Sequence, residues 1–300
     1  MSQNAESSRD LPGHIAALLQ RAPRDAQGRP ADSAGVPWAD RDLSGDGNPL
    51  HTFDGDDGLA TATVSAARDQ LLAGELDEAG FVAALAGQRL FVPVLAELAE
   101  EADPAPGGAP GEPSAPVGDK QADITLISIT SRDGRQTMPV FTSVDALTGW
   151  HDKARPVAAE TERIMLAALA EGAELAVLDP GAELTFVLRR PAVEALAQAA
   201  RWVPSYQDPE LADALGGILD LCPGVAQLQL QPGDGVGTRT AAGHAVPGGG
   251  SGPELSVGVV LLPGVDEVDS RLALASVQAA LGEVPMLRER ADSVQVKLVR

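Results

Sequence analysis

Cys222 is the one thiol in the sequence, and it stands in LDLCPGV, among apolar neighbours and just before a proline. A single cysteine can form neither an intramolecular disulfide nor a multi-cysteine metal site. A reactive thiolate needs a nearby cation or a helix N-terminus to lower its pKa. The flanking residues supply neither, so the expectation is a buried thiol behaving as a small hydrophobe. The alternative reading is a sulfur carrier that uses Cys222.

The other residues capable of chemistry are scattered. His14, His51, His151 and His244 lie far apart, and no serine sits in a strained strand-to-helix turn beside an oxyanion hole. His151, next to Trp150 at the end of a predicted helix, reads as a favourable C-terminal charge or cap. Gly233, Gly235 and Gly237 in GDGVG resemble a phosphate loop only on the surface. A dinucleotide fingerprint needs a helix N-terminus directly after the glycines, and here more loop and then a strand follow. Seven aspartates lie between Asp32 and Asp57. Their spacing across 40–58 misses the calcium-loop pattern, so Asx-turns are the simpler expectation. No catalytic, cofactor-binding or metal-binding residue is assigned, and the protein is not expected to be an enzyme.

Four residues stand out as contacts for a partner. Arg189 and Arg190 form a cationic pair in an acidic chain, and Trp150 and Trp202 flank loops, where Trp is a favoured anchor. The competing readings are neutralisation of neighbouring acids for the arginines and core packing for the tryptophans. With 22 basic and 43 acidic residues the net charge is 22 − 43 = −21. Nucleic-acid binders need cations to displace phosphate counterions, so DNA and RNA are excluded as expected partners. An anionic membrane surface is excluded on the same ground; a protein partner is expected, but the acidity does not identify it, since acidic surfaces also serve solubility. No apolar run spans a bilayer, and the start lacks a signal-peptide layout, so cytoplasmic residence is expected.

These residues must be positioned by a mostly aliphatic core, since only five Phe, three Trp and one Tyr occur. Residues 1–37 are polar and read as a disordered tail. LDEAGFVAALAGQ is amphipathic at helical spacing, with Leu76, Phe81, Val82 and Leu85 on one face. RLFVPVLAEL reads as a strand that Pro93 confines to an edge or an end. Pro and Gly dominate 100–120, a flexible insertion. ITLISIT is a buried strand, Asp133-Gly134 a hairpin turn, and TMPVF the returning strand. Ser143 caps the helix VDALTGW. AAETERIMLAALAEG is a second helix presenting Met165, Leu166 and Leu169. ELAVLD and ELTFVLR are strands joined by Pro180-Gly181, and Pro191 opens the helix PAVEALAQ. Farther on come a helix DPELADALGGILDL, a strand GVAQLQLQ, a Gly-rich loop 231–253, a strand LSVGVVLLPG, a helix DEVDSRLALASVQAALG and a terminal strand DSVQVKLVR. The expected fold class is α+β, as two small α/β sandwich modules with mixed or antiparallel sheets and helices on one face.

The runs MPVFTSVDALTGWHDKARPV and LAVLDPGAELTFVLRRPAVEALAQ, with WADRDLSGDGNPLHTFDGDDG and FVAALAGQRLFVPV upstream, resemble the SseB (enhanced serine sensitivity) family in its actinobacterial form. The resemblance covers about 38–205 and implies an N-terminal domain 38–203 that contains the 100–120 insertion. It implies, more weakly, a C-terminal domain over 204–300. It brings no catalytic residues, and its name suggests a link to serine or sulfur metabolism. The leading expectation is a non-catalytic interaction or regulatory protein. The alternatives are an unrecognised enzyme or sulfur carrier using Cys222, and a secretion-associated or structural partner.

Overall fold

The computed structural model describes Phe53 and residues 55–97, 123–131 and 133–299. The expected tail 1–37, most of the Asp/Gly-rich stretch 40–58 and the insertion 100–120 lie outside them. Several helices begin where a short polar side chain takes up an orphan N–H. Thr61 caps α1 (Ala62–Ala73) by accepting from Val64, and Asp77 caps α2 (Glu78–Leu85) by accepting from Gly80. Each such cap contributes about 1 kcal/mol. Packing supplies more, because Leu71, Phe81, Val82 and Leu85 are buried in one cluster.

The strand β1 (Arg89–Glu97) is not at an edge. It is the centre of an antiparallel sheet, between β2 (Asp123–Leu126) and β5 (Arg155–Glu160). Pro93 lies opposite Pro156 on β5. The backbone groups of Pro93 point to the β2 side, so the ladder to β5 is left whole, and the missing N–H falls just past Leu126, where the β2 ladder ends. On that side the Pro93 carbonyl accepts from Ile127 at 3.3 Å, just past the end of β2. Pairing with β1 also explains why the predicted second helix starts late: β5 takes residues up to Glu160, and α4 runs Thr161–Ala170. Its buried face is Ile164, Met165 and Ala168, whereas Leu166 is exposed.

A second sheet has the order β3-β4-β6-β7, from β3 (Ile129–Thr130), β4 (Gln136–Val140), β6 (Leu175–Leu178) and β7 (Phe186–Arg189). ITLISIT is therefore two strands in two sheets, broken at Ile127 and Ser128. The Asp133-Gly134 hairpin and the Pro180-Gly181 turn form as expected, with Gly134 at φ 89° and Gly181 at φ 83°. β4 and β6 are parallel, joined through α3 (Val144–Trp150), β5 and α4. Ser143 caps α3. α5 (Arg190–Ala197) follows β7 directly.

The third sheet has the order β12-β11-β8, from β8 (Val225–Pro232), β11 (Leu255–Leu261) and β12 (Val294–Val299). β11 runs antiparallel to β8 and parallel to β12, with α7 (Glu267–Gly282) and α8 (Pro285–Arg290) in the crossover. α8 is an element the sequence did not suggest. α6 (Pro209–Gly216), capped by Asp208, packs on the same cluster as α7, β8 and β11. The Gly-rich excursion is not all loop: β9 (Gly237–Arg239) and β10 (Ala245–Gly249) pair within it, and Val246 joins the buried cluster of β4, β6 and β7. Mixed sheets with packed helices make the fold α+β. No helix among the described residues is long and apolar enough to cross a membrane.

Candidate functional site

The period of two along β7 sends Phe186 and Leu188 into the core cluster and Arg189 to the opposite face. There the Gly-rich excursion covers it. A Cβ on Gly250 would collide with the carbonyls of Gly235 and Gly237, and one on Gly235 would collide with Gly252. Only glycine permits that backbone approach, and the approach gathers three carbonyls around one guanidinium. Arg189 donates to the carbonyls of Gly252 at 2.7 Å, Gly235 at 2.8 Å and Gly250 at 2.7 Å.

Carboxylates complete the cluster. Asp292 lies 3.6 Å from Arg189 and accepts from Arg135 at 2.8 Å. Glu254, wholly buried, accepts from the Ser205 hydroxyl at 2.7 Å and from the Asp292 N–H at 2.7 Å. Glu78 accepts from the Gly249 N–H at 3.2 Å and from the Tyr206 hydroxyl at 3.3 Å. Burial pushes the Glu78 carboxyl up to about 7, against the pull of the Gly249 N–H and the Arg189 charge. Burial and the neighbouring Glu78 raise the Tyr206 phenol as well. With Glu78 protonated, two arginines face two carboxylates and the buried charge balances. The Arg189 Nη donors are taken up inside this cluster, while its Nε–H has no partner among the described residues.

Arg189 is therefore no partner contact. It is 1% exposed, and its charge is consumed inside the protein. Trp202 is buried in the first core cluster, its indole N–H without a partner. Trp150 is half-buried against Phe141, with ring centroids 5.4 Å apart, in a third cluster away from Arg189. Arg190 alone of the four points outward, its side chain 41% exposed. Cys222 is buried in the second core cluster. At the end of the Asp-rich stretch, Asp56 and Asp57 accept from the N–H groups of Gly58 and Leu59, as Asx-turns do, and Asp56 also pairs with the buried Arg89 at 2.8 Å. The described residues contain no group of three or more His, Cys, Asp or Glu placed to hold a metal ion.

Arg190 stands beside an open groove of about 520 Å³ between the end of α7, α8 and β12. Leu281, Leu287, Val294 and Val296 give it apolar walls, and Arg288 is its second cation. Arg190 donates to the Arg288 carbonyl at 2.6 Å and to Glu194 at 3.4 Å. Arg288 donates to the Gly282 carbonyl at the end of α7. A guanidinium carries five N–H donors, so both retain donors for a bound group. Asp292 and Ser293 line the same groove and tie it to the buried cluster, since Ser293 Oγ accepts from Glu254 N–H at 3.1 Å.

The model of the SseB protein N-terminal domain matches residues 64–216, just over half of the chain. The chain belongs to the SseB family. Curated proteins offer no match to it. The SseB domain carries Glu78, Arg135, Arg189, Arg190, Ser205 and Tyr206, while Gly235, Gly249–Gly252, Glu254, Arg288 and Asp292 lie beyond the match. The buried cluster thus joins the SseB domain to the remainder, and the groove opens where they meet.

Sequence reading missed Glu78, Glu254, Asp292 and Arg288. For Glu78 a signal existed: 78, 81, 82 and 85 share one helical face, the face of Phe81, Val82 and Leu85. For Glu254 and Asp292 none did, because two carboxylates among 43 acids carry no mark.

Proposed function

We propose that this SseB-family chain is a non-catalytic interaction protein that holds a protein partner in the groove between α7, α8 and β12. One observation carries the reading. Two arginines with unused donors border apolar walls there, whereas Arg189, Glu254 and Asp292 are spent on one another and Cys222 is buried. Apolar area supplies affinity, and arginine at the rim supplies orientation and specificity. A net charge of −21 disfavours nucleic acid and anionic lipid as the occupant. The proposed setting is cytoplasmic, and a connection to serine or sulfur metabolism is taken from the family name alone.

The test is affinity purification of the intact chain from its source cell, beside Arg190→Glu with Arg288→Glu and, separately, Cys222→Ser. The expected result is a reproducible partner that the double charge reversal loses and Cys222→Ser keeps. A partner retained by the double variant would remove the groove from the reading. A partner lost only with Cys222→Ser would favour the sulfur-carrier alternative.

A further inference from the structure

β12 is an edge strand. Its one partner among the described residues is β11, in a parallel ladder that pairs Leu255 with Val294 and Val257 with Val296. The Leu255 N–H donates to the Ser293 carbonyl at 3.0 Å. In a parallel ladder the N–H and C=O of one residue point to the same side, and successive residues alternate. The groups of Ser293, Gln295 and Lys297 therefore face β11. Those of Val294, Val296 and Leu298 face away from it, along the open edge.

The groove runs beside that edge. Val294 and Val296 form one wall, and Leu281 of α7 and Leu287 of α8 form the other. Val294 is 37% exposed and Leu298 41% exposed, so apolar surface and unpaired backbone are offered together. Proteins commonly blunt such an edge with charge, but here the one lysine of β12, Lys297, projects to the opposite face and pairs with Asp234 at 2.6 Å. At the helix end of the groove stand Arg190 and Arg288.

We infer that the groove receives an extended acidic peptide that adds as a fourth strand to β12, with alternate apolar side chains against Leu281 and Leu287 and a carboxylate on Arg190 and Arg288. The inference rests on the reading of the groove as a docking surface and names its occupant. Main-chain bonds to the outward groups of Val294, Val296 and Leu298 give affinity without regard to sequence. The apolar walls select every second side chain, and the arginines select charge and direction. A second copy of this chain would bring a further −21 to the interface, whereas one short peptide brings only the carboxylates that the two arginines take.

The probe is a fluorescein-labelled seven-residue peptide of alternating valine and threonine with two glutamates at one end, titrated into the full chain by anisotropy. Controls are the same peptide with lysines for glutamates, and the same peptide N-methylated at alternate residues so that it cannot complete a ladder. Saturable binding is expected, weakened about tenfold or more by each control peptide and by Arg190→Glu with Arg288→Glu. Val296→Pro removes one outward N–H and leaves the β11 ladder intact, so it is expected to weaken binding with an unchanged far-ultraviolet spectrum. Equal binding of the N-methylated peptide, lost in the charge-reversed variant, would overturn strand addition and leave the docking surface standing. No binding of the probe, or binding indifferent to the arginines, would overturn the inference, while capture of the cellular partner reports separately on the groove.

Discussion

Arg189 Nη1 and Asp292 Oδ2 approach to 3.6 Å with side chains 1% and 6% exposed, so a cation of the SseB domain meets an anion from beyond it out of reach of water. Three glycine carbonyls share that cation. Arg189 and Arg190 are adjacent in the chain and divide the work. The first fastens the SseB domain to the remainder, and the second faces the groove that opens beside the junction.

Replacing Arg189 with Met is expected to destabilise the protein by about 3–5 kcal/mol, because it strands buried acceptors and an anion without their cation. Urea denaturation at neutral pH measures this. Arg189→Lys keeps the charge but not the fork, and its loss should be smaller. A cost of Arg189→Met below about 1 kcal/mol, the size of a surface pair, would contradict the assignment.

Glu78 makes stability depend on pH with a definite sign. Its carboxyl titrates near 7 in the folded protein, against a reference value of 4.5. Between those values the folded state keeps a proton that the unfolded state has released. The contribution is full below 4.5 and is lost as pH rises to about 7, amounting to on the order of 3 kcal/mol. The unfolding free energy of the wild type relative to Glu78→Gln, from urea denaturation, should fall by this amount as pH rises through that window. Parallel curves would refute the buried-proton account.

Gly250→Ala should cost about 1–3 kcal/mol or more, since the new methyl meets the backbone of Gly235 and Gly237 and that backbone also holds Arg189. Gly216→Ala is the control. It meets nothing within 4 Å on α6 and should be neutral or stabilising by up to about 1 kcal/mol. Thermal melts of the pair check this, and equal effects would refute the close-approach argument.

Cys222 should resist iodoacetamide in the folded protein and react fully once unfolded, as read by intact mass. Its side chain is 2% exposed in the second core cluster. Cys222→Ser buries a hydroxyl there, at a cost of about 1–3 kcal/mol. Rapid modification of the native thiol would revive the sulfur-carrier reading.

Local rules were legible in the residues themselves. The cap at Ser143, the turns at Asp133-Gly134 and Pro180-Gly181 and the buried face Phe81, Val82, Leu85 depend on neighbours within a few positions. So did the family, the α+β class and a cationic pair at Arg189 and Arg190. Tertiary structure decided everything that pairs distant segments. Pro93 sits in a central strand because β2, from a distant part of the chain, stops pairing just where Pro93 lacks an N–H. Arg189 is buried because a glycine-rich segment folds over β7, and Arg190 is open because α5 turns away at the next residue. Glu254 and Asp292 look like any other acids until the fold takes them out of water. Periodicity and propensity act over one or two turns, whereas charge burial is set by which surfaces the whole chain brings together.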